Sequence, residues 1–319
     1  MKFKGMVLAL LCVLTTGLVF AGANADKAGK KIRISVIYHD TGIEFGQVIK
    51  TGALAAGKEF GIDVEFVGPI GIKVDEQVAF MENAITKKVD GIAVSNVNGE
   101  ALNPMIDKAI AAGIPTVTFN SEADGSKRMA FFGQDLVNSG RVEAEIVKEF
   151  MGETGKILII TGEAAASWSQ DRERGVREGL AKYPGIKIIN TISTGWEEQA
   201  QFAAIENAIL ANPDLTGIAT LDAATTPATG LVLQRLNKTG IIHVGHDLVP
   251  QTLDNIKAGI TKASLSQFPY MQGYLPVKAL YEKIVNKKNL ESVDTGILRV
   301  DSKNIDEYLK KLKDGEPIG

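Results

Sequence analysis

From Lys31 the chain alternates short apolar, β-branched runs with segments of helical spacing, and it keeps this up almost to its end. IRISVIY (32–38) reads as a strand, 44–60 as a helix stopped by Gly61, IDVEFVG (62–68) as a strand, and 75–88 as a helix opened by Asp75. DGIAVSN (90–96) is a third strand, Glu100 to Ala112 a helix stopped by Gly113, PTVTFN (115–120) a fourth strand and MAFFG (129–133) a fifth. Strands separated by helices pair in parallel, with the helices covering both faces of the sheet. The rhythm then restarts. A helix over 136–151 leads to GKILIITG (155–162), helix 169–182, IKIINTI (186–192), helix 197–211, LTGIATL (215–221), helix 226–237 and the strand at 241. Two α/β lobes of similar layout follow from this, although the halves share no obvious sequence repeat.

The run Ile241 to Tyr274 shows what such a layout does with polar residues. An apolar strand ends in His246-Asp247, a short helix spans Pro250 to Ala258, and a second strand, Ile260 to Ser266, ends in Gln267-Phe268-Pro269. Open α/β sheets bind ligands outside the carboxyl ends of their strands. Asp247 and Gln267 stand there, as do Tyr38, His39, Asp40, Glu44 and Phe45 after the first strand, Ser95, Asn96 and Asn98 after the third, and Asn120, Ser121 and Glu122 after the fourth. In the second half the corresponding residues are Trp168, Ser169, Gln170, Asp171 and Arg172, then Trp196 and Glu197, then Asp222, Thr225 and Thr226. Carboxylates and amides make paired hydrogen bonds to neighbouring hydroxyls, and aromatic faces cover the C–H faces of a sugar ring. The set therefore suits a polyhydroxylated ligand. Each residue also has an ordinary alternative: Asp247 as a helix cap, Asn and Asp as turn formers, Trp196 in the core, Arg172 paired to Asp171 or Glu173 on its own helix. Their common placement at strand ends argues for a site.

Several classes are excluded. Lys2 and Lys4, an apolar run from Met6 to Phe20 and Ala23-Asn24-Ala25 read as a secretory signal over residues 1–25, and the run is shorter than the roughly 20 residues of a spanning helix. Cys12, the single cysteine, lies in that signal behind Leu10-Leu11, which does not fit a lipidation site. The exported chain would then hold no disulfide, and losing Lys2 and Lys4 takes its net charge from −3 to −5. A mildly acidic chain without a basic run is a poor partner for nucleic acid. There is no G-x-G-x-x-G after the first strand, no phosphate-loop lysine motif and no G-x-S-x-G elbow. His243 and His246 resemble a metal pair, but residues three apart on a strand point to opposite faces and no third ligand is near. No metal, cofactor or catalytic residue is expected; His243 reads as a core or edge histidine.

At this point the residues resemble the periplasmic sugar-binding proteins of the ribose-binding and LacI-like type, the receptors of ABC importers. The resemblance runs from about 32 to 310 and is carried by ISVIY with Phe45 and Gly52, VDGIAVSN, AIAAGIPTVTFN, Gly133-Gln134-Asp135 with Ser139-Gly140, Arg172-Glu173-Arg174-Gly175, VGHD (244–247), and Gln267 with Gly273. It implies a periplasmic-binding-protein-like I fold: two doubly wound parallel-sheet lobes joined by three crossings near 133–135, 266–269 and 291–295. The amino-terminal lobe would comprise 30–133 plus 268–293 and the carboxy-terminal lobe 134–267 plus 294–319. Helix 269–286 returns to the first lobe and the tail 296–313 to the second. The resemblance further implies that Phe45 and Trp196 sandwich a ring from opposite lobes. Arg172, Asp247 and Asn120 would bind hydroxyls, Gln267 would contact ligand at a crossing, and His39, Ser95 and Asp222 would complete the pocket. The expected protein is a periplasmic monomer, not an enzyme, that captures a monosaccharide or small polyol by hinge closure and delivers it to a transmembrane ABC permease. A periplasmic sensory, chemotaxis or autoinducer-2 receptor would use the same pocket, and an exported α/β enzyme would need a nucleophile–base pair that the sequence does not offer. Ribose-type receptors carry an Asp–Arg pair where this chain has Asn120-Ser121, and a second aromatic where it has Gly46. DAATTPAT (222–229) and QFPYMQGYLPV (267–277) look closer to relatives that bind rhamnose or furanosyl autoinducer-2. Without the bidentate Asp–Arg bonds, the ligand should present different hydroxyls at that corner.

Overall fold

The computed structural model describes residues 31–318, so the signal read over residues 1–25 lies outside the described residues. The described chain forms two six-stranded sheets. In chain order the first lobe begins β1 (Arg33–Ile37), α1 (Glu44–Phe60), β2 (Asp63–Val67), α2 (Val74–Thr86), β3 (Gly91–Val94), α3 (Gly99–Ala111), β4 (Thr116–Phe119) and β5 (Phe131–Gly133). The second contains α4 (Leu136–Met151), β6 (Gly155–Thr161), α5 (Ser167–Leu180), β7 (Ile186–Ser193), α6 (Glu198–Leu210), β8 (Gly217–Thr220), α7 (Thr225–Arg235), β9 (Ile242–His246), α8 (Pro250–Lys257) and β10 (Thr261–Ser266). Then come α9 (Pro269–Asn286), β11 (Val293–Asp294), β12 (Leu298–Asp301) and α10 (Ile305–Asp314).

The sheet orders are β11-β5-β4-β3-β1-β2 and β12-β10-β9-β8-β6-β7. All pairings are parallel except β10 with β12. In each sheet the order reverses beside the lobe's first strand, β1 or β6, which opens a crevice at the carboxyl edge. The central strands β3, β4 and β8 are buried along their whole length, as a sheet covered on both faces requires. Strand alternation divides the first core in two: Ile34 and Val36 join one cluster, Ile37 the other. In β6, Ile157 and Ile159 face one way, Leu158 and Ile160 the other.

Each lobe has one helix pair in backbone contact. A Cβ on Gly52 of α1 would lie 2.0 Å from the Tyr270 carbonyl oxygen of α9, and one on Gly273 of α9 would lie 1.9 Å from that of Ile49. The second lobe repeats the device, with Gly140 of α4 against the Arg172 carbonyl at 2.1 Å and Gly175 of α5 against that of Val137 at 2.0 Å. Three details differ from the sequence reading. Asp75 does not open α2; the helix begins at Val74 and Asp75 sits in its first turn, where its charge favours the helix dipole. The two-residue strand β11 was not expected. The edge strand β12 runs antiparallel because it follows a crossing directly, with no helix to carry the chain back to the starting edge.

Candidate functional site

A cleft of about 410 Å³, part of it open to solvent, lies at the carboxyl edges of both sheets. Its lining includes His39, Phe45, Asn120, Arg172, Trp196, Asp222, Asp247 and Gln267 from the nine expected positions, together with Tyr38, Ile43, Leu136, Trp168, Ala223 and Ala224. Tyr38 and Trp168 were among the strand-end candidates without being singled out. Ser95 does not line the cleft; it stands behind His39 and Asn120. Phe45 comes from the start of α1 and Trp196 from the turn before α6, so the two rings approach from different lobes. The space beside Gly46 is filled by Tyr38, whose ring would lie 2.9 Å from a Cβ there.

Two residues at equivalent points of the lobes hold the left-handed conformation. Asn120 follows β4 with φ 61°, and Asp247 follows β9 with φ 69°. Each is anchored to the next strand through its backbone N–H, Asn120 to Phe132 O at 3.1 Å and Asp247 to Leu265 O at 2.8 Å. Asn and Asp tolerate this conformation better than other side chains. Asp247 therefore does not cap α8, which starts after Val249.

The first-lobe polar groups form a chain. The Ser95 hydroxyl donates to Asn120 Oδ1 at 3.2 Å, so His39 Nδ1, 2.8 Å from the same hydroxyl, must donate to it. That assignment leaves His39 Nε2 as a lone-pair acceptor, and burial lowers the His39 pKa to about 3, which keeps the ring neutral. Asn120 Nδ2 donates to Gln267 Oε1 (3.3 Å) and Gln272 Oε1 (3.0 Å), and Gln267 Nε2 donates to Asp247 Oδ1 (2.8 Å). Asn120 and Gln267 thus use most of their capacity on neighbours and aim the Asp247 carboxylate.

In the second lobe Arg172 is 2% exposed. Its own-helix alternatives are taken, since Asp171 pairs with Arg174 and Glu173 with Arg177. Arg172 Nη1 donates to Leu221 O at 2.7 Å and Nη2 to Gln134 Oε1 at 3.4 Å, while Nε has no hydrogen-bond partner among the described residues. Burial lowers its pKa, opposed by the charges of Asp247, Glu143 and Asp222. Asp247 shows the converse: burial raises its pKa to about 6, against the pull of Arg172 and the Gln267 hydrogen bond. No ion pair joins Arg172 to Asp247 among the described residues, so a cation and a carboxyl group line one cleft without neutralising each other by contact. Asp222 is engaged differently, accepting from the backbone N–H groups of Gly162 (2.8 Å), Ala224 (3.0 Å) and Thr225 (2.8 Å). It shapes the loop between β8 and α7. Trp168 and Trp196 meet at 6.4 Å between ring centroids, and neither indole N–H has a partner among the described residues.

The model for the periplasmic binding protein domain matches residues 34–288. The chain belongs to the periplasmic binding protein family. Among relatives of this binding protein is the xylose/arabinose-binding protein XylF of Sulfolobus acidocaldarius, 27% identical over 247 residues, which are 72% of the chain and 61% of that protein. The D-ribose/D-allose-binding protein of Pseudomonas aeruginosa is 25% identical over 262 residues, 78% of the chain and 81% of its own length. An ABC transporter solute-binding protein from Burkholderia graminis, solved with D-arabinose, superposes with a TM-score of 0.84 at 28% identity, covering 88% of the chain and 99% of that structure. Against three of its curated relatives the binding protein spans only between 54% and 61% of their length.

The crossings between the sheets of the binding protein are tied together by two glutamines that the sequence reading did not single out for this role. Gln134, after β5, donates through Nε2 to Ser266 O (3.2 Å) and Gly296 O (3.0 Å), joining the first crossing to the other two. Gln272 donates to Gln267 O (2.8 Å) and Thr295 Oγ1 (3.3 Å). Because Gln134 also accepts from Arg172, and Gln272 from Asn120, both lobes' polar groups connect to the crossings. One sign was available for Gln272: it lies on the buried stripe of α9 with Pro269, Gly273, Pro276, Val277 and Leu280, and a polar residue there needs partners. Phe268, at the second crossing, has φ 56°, a costly conformation for a bulky residue.

Proposed function

We propose that the chain is the periplasmic substrate-binding component of a sugar ABC importer. It captures a monosaccharide or related small polyol by closing two lobes around it, carries out no chemistry, and presents the closed form to a transmembrane permease. Residues 1–25 serve as the export signal, 30–133 with 268–293 and 134–267 with 294–319 as the lobes, and the protein acts as a monomer. The observation that carries this reading is the shared lining of one cleft by Phe45 and Trp196, from different lobes, with buried Arg172 and Asp247. Rings so placed cover the two faces of a sugar, while a cation and a carboxylate serve hydroxyls at its edge. Relatives named for xylose, arabinose, ribose and allose support a pentose or hexose. Only contacts to both lobes favour closure, which gives Arg172 and Trp196 the same weight as Phe45.

The test is a thermal-shift screen of Asp26 to Gly319 against pentoses, hexoses, deoxy sugars, polyols and autoinducer-2. A ligand at a hundredfold excess over its dissociation constant adds about 2.7 kcal/mol to stability. A clear shift with one compound is expected; no shift with any of them overturns the reading.

Binding should also depend on pH. Asp247, held to a pKa of about 6 chiefly by burial, keeps its proton in the ligand-free cleft below that value. A carboxyl raised in this way favours the folded state at low pH, and its contribution is lost as pH rises from about 4, the ordinary value, through about 6. Sugar hydroxyls that donate to Asp247 favour the ionised form, so binding has the opposite dependence. The dissociation constant should rise about tenfold from pH 7.5 to pH 5, with the dependence removed in Asp247→Asn. Titrations across that range check it.

A further inference from the structure

The two lobes also meet away from the crossings and at the rim of the cleft, through Ser167 at the start of α5. The Ser167 hydroxyl lies 3.0 Å from Asn96 O and 2.9 Å from the Ser121 hydroxyl, both on the first lobe, and Ser121 is itself 2.5 Å from Asn96 O. A longer backbone bond runs from Ser167 N to Val97 O at 3.5 Å. Around this point Val97, Ile72 and Val74 of the first lobe join the hydrophobic cluster that contains Ala166 and Trp168 of the second. None of Ser121, Ser167, Asn96 or Val97 lines the cleft, yet Ser167 immediately precedes Trp168, which does.

We infer that Ser167 is a positioning residue that sets ligand affinity from outside the pocket, by latching the second lobe onto Asn96 and Ser121 of the first. The inference rests on the sugar-receptor reading for its affinity readout, although the latch can be measured without ligand. These contacts exist only when the lobes are together and involve no ligand atom, so they raise the closed fraction of the empty protein. Observed affinity scales with the fraction already in the binding-competent state.

Their places in different lobes make the two serines unequal. Two hydroxyl protons serve three short contacts: either both serines donate to Asn96 O, or one does and the other donates to its fellow serine. Removing the Ser121 hydroxyl leaves Ser167 free to donate to Asn96 O across the lobes. Removing the Ser167 hydroxyl deletes both side-chain bonds that join the lobes at this point, away from the crossings, and the remaining Ser121–Asn96 bond lies within one lobe.

The experiment compares Ser167→Ala, Ser121→Ala, the double variant and Ser167→Thr in titrations with D-arabinose, D-xylose and D-ribose. Alongside, the lobe-to-lobe distance of the ligand-free protein is measured by spin labels at Glu100→Cys and Glu198→Cys in the chain from Asp26 to Gly319, which holds no other thiol. Ser167→Ala should bind about tenfold more weakly, through faster dissociation, and its label distances should move toward longer values. Ser121→Ala should stay within about threefold of the parent, the double variant should match Ser167→Ala, and Ser167→Thr should restore binding. Unchanged distances in ligand-free Ser167→Ala, or Ser121→Ala weakening binding as much as Ser167→Ala, would overturn the latch. If the parent protein binds none of the sugars, the receptor reading fails, while the distances still decide the latch.

Discussion

Arg172→Ala is expected to weaken sugar binding by about a hundredfold or more while leaving the chain folded. A hydrogen bond to a charged group contributes about 1.5–3 kcal/mol, and Arg172 would offer such bonds to the ligand's hydroxyls. Asp247, which Arg172 does not touch, is lifted to a pKa of about 6 by burial against the opposing field of Arg172. Without that field its pKa rises further, so the variant should also move the pH dependence of binding upward, a sign that simple loss of contact would not give. The fold should survive because Arg172 makes one short backbone hydrogen bond, to Leu221 O at 2.7 Å, whereas the lobe's core rests on Ile157, Ile159, Val176 and Val244. Both tryptophans of the chain, Trp168 and Trp196, line the cleft, so intrinsic fluorescence titration reports the affinity directly. Wild-type affinity in a folded Arg172→Ala protein would remove Arg172 from the site.

Much of the architecture was legible because its causes are local. β-branched runs such as ISVI and GIAV, separated by segments of helical spacing, leave few options besides parallel sheets, and strand-end placement located most of the polar and aromatic side chains that line the cleft. What escaped depends on contacts far apart in sequence. Ser95 reads as a pocket residue until the structure shows its hydroxyl fixing His39 and Asn120. Asp222 lines the cleft as expected, but the sequence does not show that three backbone N–H groups hold its carboxylate in its loop. Gln134 bonds to residues 132 and 162 positions away, and nothing in its own neighbourhood announces that. Spacing alone gave no crossings either; those came from the family resemblance carried by motifs such as Gly133-Gln134-Asp135.

The second large effect should come from Gly140→Ala, a change of one methyl group at a residue that does not itself line the cleft. Its Cβ would sit 2.1 Å from the carbonyl oxygen of Arg172 and 2.9 Å from the backbone nitrogen of Val176. Both atoms are backbone, so no rotamer change relieves the contact and α4 and α5 must separate. Overpacking of this kind costs about 1–3 kcal/mol and sometimes more; with both obstacles in a helix backbone the upper end is expected, read as a lower midpoint in chemical denaturation. Gly273→Ala on α9 supplies the control, since its Cβ would lie 1.9 Å from Ile49 O and stability should fall similarly. The two should differ in binding. Helix α5 carries Ser167, Trp168 and Arg172 in its first two turns, so a displacement of its axis carries three residues away from the first lobe at once. Gly140→Ala should therefore lose at least tenfold more affinity than Gly273→Ala at equal residual stability. Equal losses in the two variants would mean that affinity follows global stability, and that the glycine contact between α4 and α5 does not position the cleft.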